Sequence, residues 1–271
     1  MDDHRKPCVL TIGGLDPSGG AGLPADARAV AAFGAHACGI ATAVIAQNTQ
    51  GVARFEAVSP EMLAAQLDNL LEDITPAAIK IGMLPNSKSI AIVANRLRQL
   101  HNVPIIVDPV FAPSSGPEFS GATTIDALLT ELAPMAELIT PNLLEAQRIL
   151  GISITVVDEM REAAGAIGAR FGLRFVLLKG GHLPSDKNQT DGGEVVDMLF
   201  DAEGCTFVEL SLPRVAGFEV RGTGCMLASA IAAQRAQGVE MEEAAWAAKR
   251  WLAQQIARAV VIGKGRRVAG D

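Results

Sequence analysis

Cys8-Val9-Leu10-Thr11-Ile12, then Gly13-Gly14-Leu15-Asp16-Pro17-Ser18-Gly19-Gly20-Ala21-Gly22, then Leu23 to Phe33 read as a short buried strand, a glycine-rich loop and a helix. That layout is the ligand loop of an α/β fold. Five glycines within ten positions are more than a plain turn needs. The spacing matches neither a Walker A loop, since no Gly-Lys-Ser/Thr follows, nor the dinucleotide fingerprint.

The rest of the chain repeats the alternation. Apolar strands are predicted at Gly39–Ala46, Ala78–Met83, Pro104–Asp108, Glu137–Thr140 and Arg174–Leu178, with a short strand at Val52–Val58. Helices are predicted from Ser59 to Leu71, Asn86 to about Leu100, Thr124 to Leu132, from Pro141-Asn142 onward, Asp158 to Phe171 and Met241 to Val261. Glu194–Phe200 and Thr206–Leu210 read as an antiparallel pair around an Asp201–Gly204 turn. Strands that alternate with helices imply a mostly parallel sheet covered on both faces. No repeat or linker interrupts the pattern, so residues 1–271 are expected to form a single domain.

Arg221-Gly222-Thr223-Gly224-Cys225 runs straight into the apolar helix Met226-Leu227-Ala228-Ser229-Ala230. A helix start leaves amide N–H groups unpaired and carries the positive end of the dipole, which suits an anion. Gly222 and Gly224 have no Cβ to hold a phosphate away. In the first turn, the Cys225 thiol is expected to fall from about 8.5 towards neutrality. A tight loop before a packed helix, with a buried small cysteine, is the plainer reading of these five residues.

Polar residues gather at the carboxyl ends of the predicted strands: Gly14–Gly22, Gln47, Asp108, Asn142 with Glu145, and Lys179–His182, beside Met83 and Gly222–Cys225. Open α/β sheets bind ligands at that edge. The acidic members suit magnesium held through water or one carboxylate beside substrate phosphates. Lys179 could reach a phosphate as a point charge or be a solvated lysine, and Glu145 alone could be only a helix cap.

Composition narrows the function classes. Hydrophobic residues at 49% against 20% charged describe a compact protein rather than a disordered one. A net charge of −7 supplies no basic stripe for nucleic acid or an anionic membrane. Cys8, Cys38, Cys205 and Cys225 form no CxxC pair, which fits free thiols in a reducing compartment and no structural zinc. No signal-peptide pattern and no apolar run of about 20 residues is present. The expected location is cytoplasmic, with no membrane partner.

Leu15–Gly22 with Ala25-Asp26, Ala46–Gly51, Lys80–Leu84, Val107–Val110, Thr140–Asn142 with Glu145, Leu178–His182 and Gly222–Cys225 occur in this order. In these motifs the chain resembles the hydroxymethylpyrimidine/phosphomethylpyrimidine kinases of the ribokinase-like superfamily, over roughly residues 8 to 262. The resemblance implies a three-layer α/β/α fold with about eight or nine strands, and a homodimer. It implies ATP-dependent, magnesium-dependent phosphorylation of 4-amino-5-hydroxymethyl-2-methylpyrimidine, then of its monophosphate, for thiamine synthesis.

It also implies roles. Asp26 and Gln47 would hydrogen-bond the aminopyrimidine, with Gly14, Met83 and Val110 lining its pocket. Asn142, Lys179 and Thr223 would lie at the nucleotide phosphates, and Asp108 and Glu145 at the metal. Gly222 and Gly224 would form an anion hole, and Cys225 would take the place where most of the superfamily has an aspartate base. The chain departs from the family pattern at Arg221, where a histidine is common, at Met226 and at Pro24. Its tail Ile262-Gly263-Lys264-Gly265 only faintly echoes the family's glycine-rich end. Arg221 could hold a substrate monophosphate or be a surface substitution.

Three rival readings stand beside this one: a pyridoxal or pyridoxine kinase of the same superfamily, a non-catalytic pyrimidine- or pyridoxal-binding module, and a cysteine hydrolase built on Cys225 and His182. Closure over the ligands by Ser114-Ser115-Gly116 and by Ser185–Gly193 stays open.

Overall fold

The computed structural model describes residues 6–111, 121–181, 183, 193–215 and 218–270. Ser114-Ser115-Gly116, His182 and all of Ser185–Gly193 except Gly193 lie outside the described residues.

Nine strands make one sheet: β1 (Cys8–Leu15), β2 (His36–Asn48), β3 (Gly51–Ala57), β4 (Ala78–Ile81), β5 (Ile105–Val107), β6 (Leu138–Ile139), β7 (Phe175–Leu178), β8 (Glu194–Asp201) and β9 (Thr206–Pro213). Their order is β3-β2-β1-β4-β5-β6-β7-β8-β9. From β2 to β7 every neighbouring pair is parallel; β3, β8 and β9 join antiparallel at the two ends. Every central parallel strand therefore ends on the same edge.

Helices α1 (Gly22–Ala32), α2 (Pro60–Asp73), α3 (Ser87–Leu97), α4 (Ala122–Ala127), α5 (Leu143–Leu150), α6 (Val157–Phe171), α7 (Thr223–Arg235) and α8 (Met241–Ala257) cover both faces. Strand alternation divides the core between them. Ile79, Ile81, Ile105 and Val107 pack with Leu63 and Leu67 of α2, Ile90 and Val93 of α3, and Met160 of α6. Ala78, Ile106, Leu138 and Leu177 face α1, α7 and α8. Fully burying one such leucine or isoleucine is worth ~1.5–3 kcal/mol. Helix α7 is buried from Met226 to Gln234, because it packs against both α1 and α8 while lying on the sheet. This is the three-layer α/β/α architecture.

Several boundaries differ from expectation. Strand β2 runs well beyond Gly39–Ala46, because Gly13 pairs with Ala41 and Gly14 with Ala43, leaving Thr42 as a one-residue bulge. The bulge re-aims the strand: Cys38 and Ile40 face one layer, whereas Ala43 and Ile45 join Met83 in a separate small cluster. Helix α8 stops at Ala257 rather than Val261, because Val260 pairs with Val268 near the end of the chain. Helix α3 ends at Leu97 rather than Leu100. Residues Leu128–Leu132 form a π-turn after α4. A two-stranded parallel sheet of β10 (Val220–Arg221) and β11 (Arg267–Val268) brings the tail against the start of α7. The tail packs closely there: Gly265 and Arg266 donate to Thr49.

Candidate active site

The glycine-rich loop after β1 is organised by Asp16. Its Oδ1 accepts from the Ser18 amide at 2.9 Å and the Ser18 hydroxyl at 2.7 Å. Its Oδ2 accepts from the Ala21 amide at 2.9 Å and from Gln47 Nε2 at 2.7 Å. This carboxylate is 1% exposed. A buried carboxylate with four donors around it locks the loop, since losing a partner would leave charge unsatisfied.

Gly14, Met83 and Val110 come together beside the loop. A Cβ on Gly14 would lie 2.6 Å from Ile45 Cδ1 and 3.0 Å from Met83 Sδ. Val110 packs on the same cluster, and Thr42 holds the Met83 carbonyl at 2.7 Å. Gln47 lies two residues beyond Ile45 on β2, at the rim of these walls.

Asp26 differs from the expected substrate contact. It is wholly buried, with both oxygens on Lys80 Nζ at 2.9 and 3.0 Å and Oδ1 also taking the Ser229 hydroxyl at 2.8 Å. Burial is the largest influence on each partner, and the carboxylates around Lys80 still hold its ammonium above its ordinary value. Asp26 lies under Gly13, whose Cβ would be 3.9 Å from Oδ2. The pair lies on the floor of the site, beneath the glycine-rich loop.

At the carboxyl ends of β5 and β7, Lys179 Nζ meets Asp108 Oδ1 at 2.7 Å, and the Thr140 hydroxyl donates to the same oxygen at 3.0 Å. Burial alone would raise the Asp108 carboxyl, but Lys179 and Lys80 with these hydrogen bonds bring it below the ordinary range. Asn142 and Glu145 cap α5 reciprocally: Asn142 N–H donates to Glu145 Oε2 at 2.7 Å, and Glu145 N–H to Asn142 Oδ1 at 2.9 Å. Burial pushes the Glu145 carboxyl up to about 7; Lys179 opposes the rise and Asp108 adds to it.

The start of α7 closes this group. A Cβ on Gly224 would lie 3.1 Å from Lys179 Nζ and 3.7 Å from Asp108 Oδ2. Gly222 caps the helix at φ +73° in the left-handed region, and Thr223 is its first residue. Thus the first turn of α7, opening at Thr223 and Gly224, faces the lysine and the carboxylates, the form of a helix start that suits an anion.

Cys225 departs from expectation. Its thiol is pushed up to about 11, first by burial and then by Asp26 and Asp108; Lys80 and the Gly22 amide oppose without prevailing. Arg221 is not on the surface. It is 9% exposed, donates to the Asn48 carbonyl and lies 3.9 Å from Asp16.

Sequence reading alone missed Asp16, Lys80, Thr140 and Asp197. Asp197 accepts from the Gly180 amide at 2.9 Å and from Lys249 at 2.7 Å, which fixes the turn that follows Lys179. Of these, only Asp16 carried a local signal, since Asp-Pro-Ser is a turn sequence in which an aspartate bonds backbone two residues on.

Asp108 and Glu145 are the carboxylates that could meet a divalent cation, and among the described residues no cluster of three or more ligating side chains forms. Two hard-oxygen groups fit magnesium, which keeps waters and substrate phosphates as its other ligands. Among the described residues no helix is long and apolar enough to cross a membrane.

The family model described as phosphomethylpyrimidine kinase matches residues 16–269. A hydroxymethylpyrimidine/phosphomethylpyrimidine kinase of Rhizobium meliloti is 41% identical, over 95% of this chain and 94% of its own. The thiamine biosynthesis bifunctional protein ThiED of Geobacter sulfurreducens is 39% identical over 95% of this chain, and the chain spans 50% of that relative's length. Among solved structures, Bacillus subtilis pyridoxal kinase in an ADP complex superposes with a TM-score of 0.87 at 30% identity, covering 98% of this chain and 97% of its own.

Proposed function

The chain belongs to the phosphomethylpyrimidine kinase family, and from that premise we propose that it phosphorylates 4-amino-5-hydroxymethyl-2-methylpyrimidine and then the monophosphate, with ATP as donor, in thiamine synthesis. The observation that carries this reading is the juxtaposition of two half-sites on one sheet edge. The apolar walls of Gly14, Met83 and Val110 with Gln47 suit a flat heteroaromatic ring. The Lys179–Asp108 pair under Gly224 suits transferring phosphate.

In the first transfer the hydroxymethyl oxygen bonds to the γ-phosphorus, the bond to the bridging oxygen breaks and ADP leaves. The chain's part is positioning and charge stabilisation. The amides of Gly222–Gly224 and the Lys179 ammonium accept the charge on the phosphoryl oxygens. Asp108 and Glu145 would hold magnesium, which would supply charge neutralisation at the phosphates. Asn142 and Thr223 line the nucleotide side. Cys225 accepts the hydroxyl proton as a thiolate, which with a pKa near 11 is roughly one molecule in 10⁴ at pH 7. The test is incubation of purified protein with ATP, magnesium and the alcohol, with products resolved by mass. Monophosphate followed by diphosphate supports the reading; neither product from folded protein overturns it.

A second reading, pyridoxal phosphorylation, is favoured by the fold likeness to the Bacillus subtilis pyridoxal kinase. The amide at Gln47 is the group that would discriminate between the two rings.

A further inference from the structure

A side-chain amide can present its edge to a ring in two ways, and a half-turn exchanges its acceptor with its donors. At Gln47 that freedom is removed. The group it meets is Asp16 Oδ2, 2.7 Å from Nε2. An ionised carboxylate only accepts, so the nitrogen must face it. Asp16 cannot turn to accommodate the other arrangement, because Ser18 and Ala21 occupy it from the loop and Arg221 stands beside it. Among the described residues nothing donates to Gln47 Oε1, and Asp16 takes one of its two amide hydrogens. The remaining edge of Gln47 offers one acceptor beside one donor at the rim of the Gly14–Met83 pocket.

We propose that Asp16 is a specificity-determining positioning residue: it fixes the Gln47 amide so that the pocket selects a ring bearing an exocyclic amine beside a ring nitrogen over one bearing an oxo group beside a ring N–H. The amine donates to Oε1, and the unprotonated ring nitrogen accepts from the free N–H. This is the pairing by which glutamine or asparagine reads adenine. A 4-oxo pyrimidine carries the reversed pattern and meets acceptor with acceptor and donor with donor. A pyridoxal ring carries a carbon where the second partner would be. This inference rests on the aminopyrimidine reading above.

The experiment compares kcat/KM for the 4-amino alcohol and its 4-oxo analogue, with ATP and magnesium, in the native protein and Asp16→Asn. Turnover of the amino compound by native protein tests the functional reading by itself. The amino-to-oxo ratio tests the inference. Asparagine can donate as well as accept, so Asp16→Asn frees the amide to turn and lowers the ratio about tenfold or more. A ratio unmoved by Asp16→Asn overturns the proposal. Should Asp16→Asn fail to fold, nuclear magnetic resonance of native, substrate-free protein decides. One Gln47 amide proton, bound to carboxylate, is shifted downfield and exchanges slowly; two equivalent, fast-exchanging protons contradict the assignment.

Discussion

A Cβ placed on Gly222 would lie 2.1 Å from the carbonyl oxygen of Gly20. The first and last glycine motifs of the chain, about 200 residues apart, are thus pressed backbone to backbone. Gly22 makes the same kind of approach to the Gly14 carbonyl, at 2.2 Å and φ +56°. The glycine-rich loop and the start of α7 are held against each other by the first of these contacts.

Gly222→Ala therefore meets two penalties, a left-handed φ costing ~1–2 kcal/mol and a contact that only backbone movement relieves. Moving the start of α7 withdraws an amide from the transferring phosphate. Turnover is expected to fall roughly 10²-fold or more, with a lowered melting temperature. Steady-state kinetics and thermal unfolding on the same sample check this, and near-native turnover would remove Gly222 from the anion hole.

Asp26→Asn separates floor from wall. Removing the partner of the fully buried Lys80 costs ~3–5 kcal/mol. A floor residue shows this as lost stability, with little change in substrate KM for the protein that remains folded. Chemical denaturation alongside kinetics distinguishes the cases. A large rise in pyrimidine KM with unchanged stability would return Asp26 to direct substrate contact.

The Glu145 carboxyl, at about 7 in the fold, has an ordinary value of 4.5. Between those values the folded state binds more protons than the unfolded chain, so stability of the ligand-free protein falls as pH rises through the window. In Glu145→Gln this contribution to the slope disappears. Denaturation midpoints across the window give the comparison; parallel curves for native and variant protein contradict the assignment.

Cys225 sets a different pH dependence. If its thiolate takes the hydroxyl proton, turnover under saturating substrates climbs about tenfold per pH unit from neutrality towards 11. Alkylation of Cys225, followed by peptide mass, climbs with it. Cys225→Ser is expected to lose roughly 10²-fold. A flat pH–rate profile, or full turnover by the serine variant, would falsify the base role.

Much of this is legible in the sequence. Apolar strands ending in Asp108, Lys179 or Gly13-Gly14 place chemistry on one sheet edge, and Gly222-Thr223-Gly224 marks a helix start. What stayed hidden were side-chain partnerships across long separations. Nothing local pairs Asp26 with Lys80, 54 residues away, and without that pair Asp26 reads as a site carboxylate. Arg221 looked free because its partner, the Asn48 carbonyl, lies 173 residues earlier. Local reasoning about Cys225 weighed the helix field but not burial or the carboxylates of Asp26 and Asp108. The Thr42 bulge was invisible because an apolar run looks alike with or without an extra residue.

The most direct test of the account offers the purified protein 4-amino-5-hydroxymethyl-2-methylpyrimidine, its monophosphate and pyridoxal together, with ATP and magnesium, and follows each product by mass. Both pyrimidines are expected to be consumed, with the diphosphate accumulating well ahead of pyridoxal phosphate. Pyridoxal phosphate forming first, with the pyrimidines left behind, would contradict it.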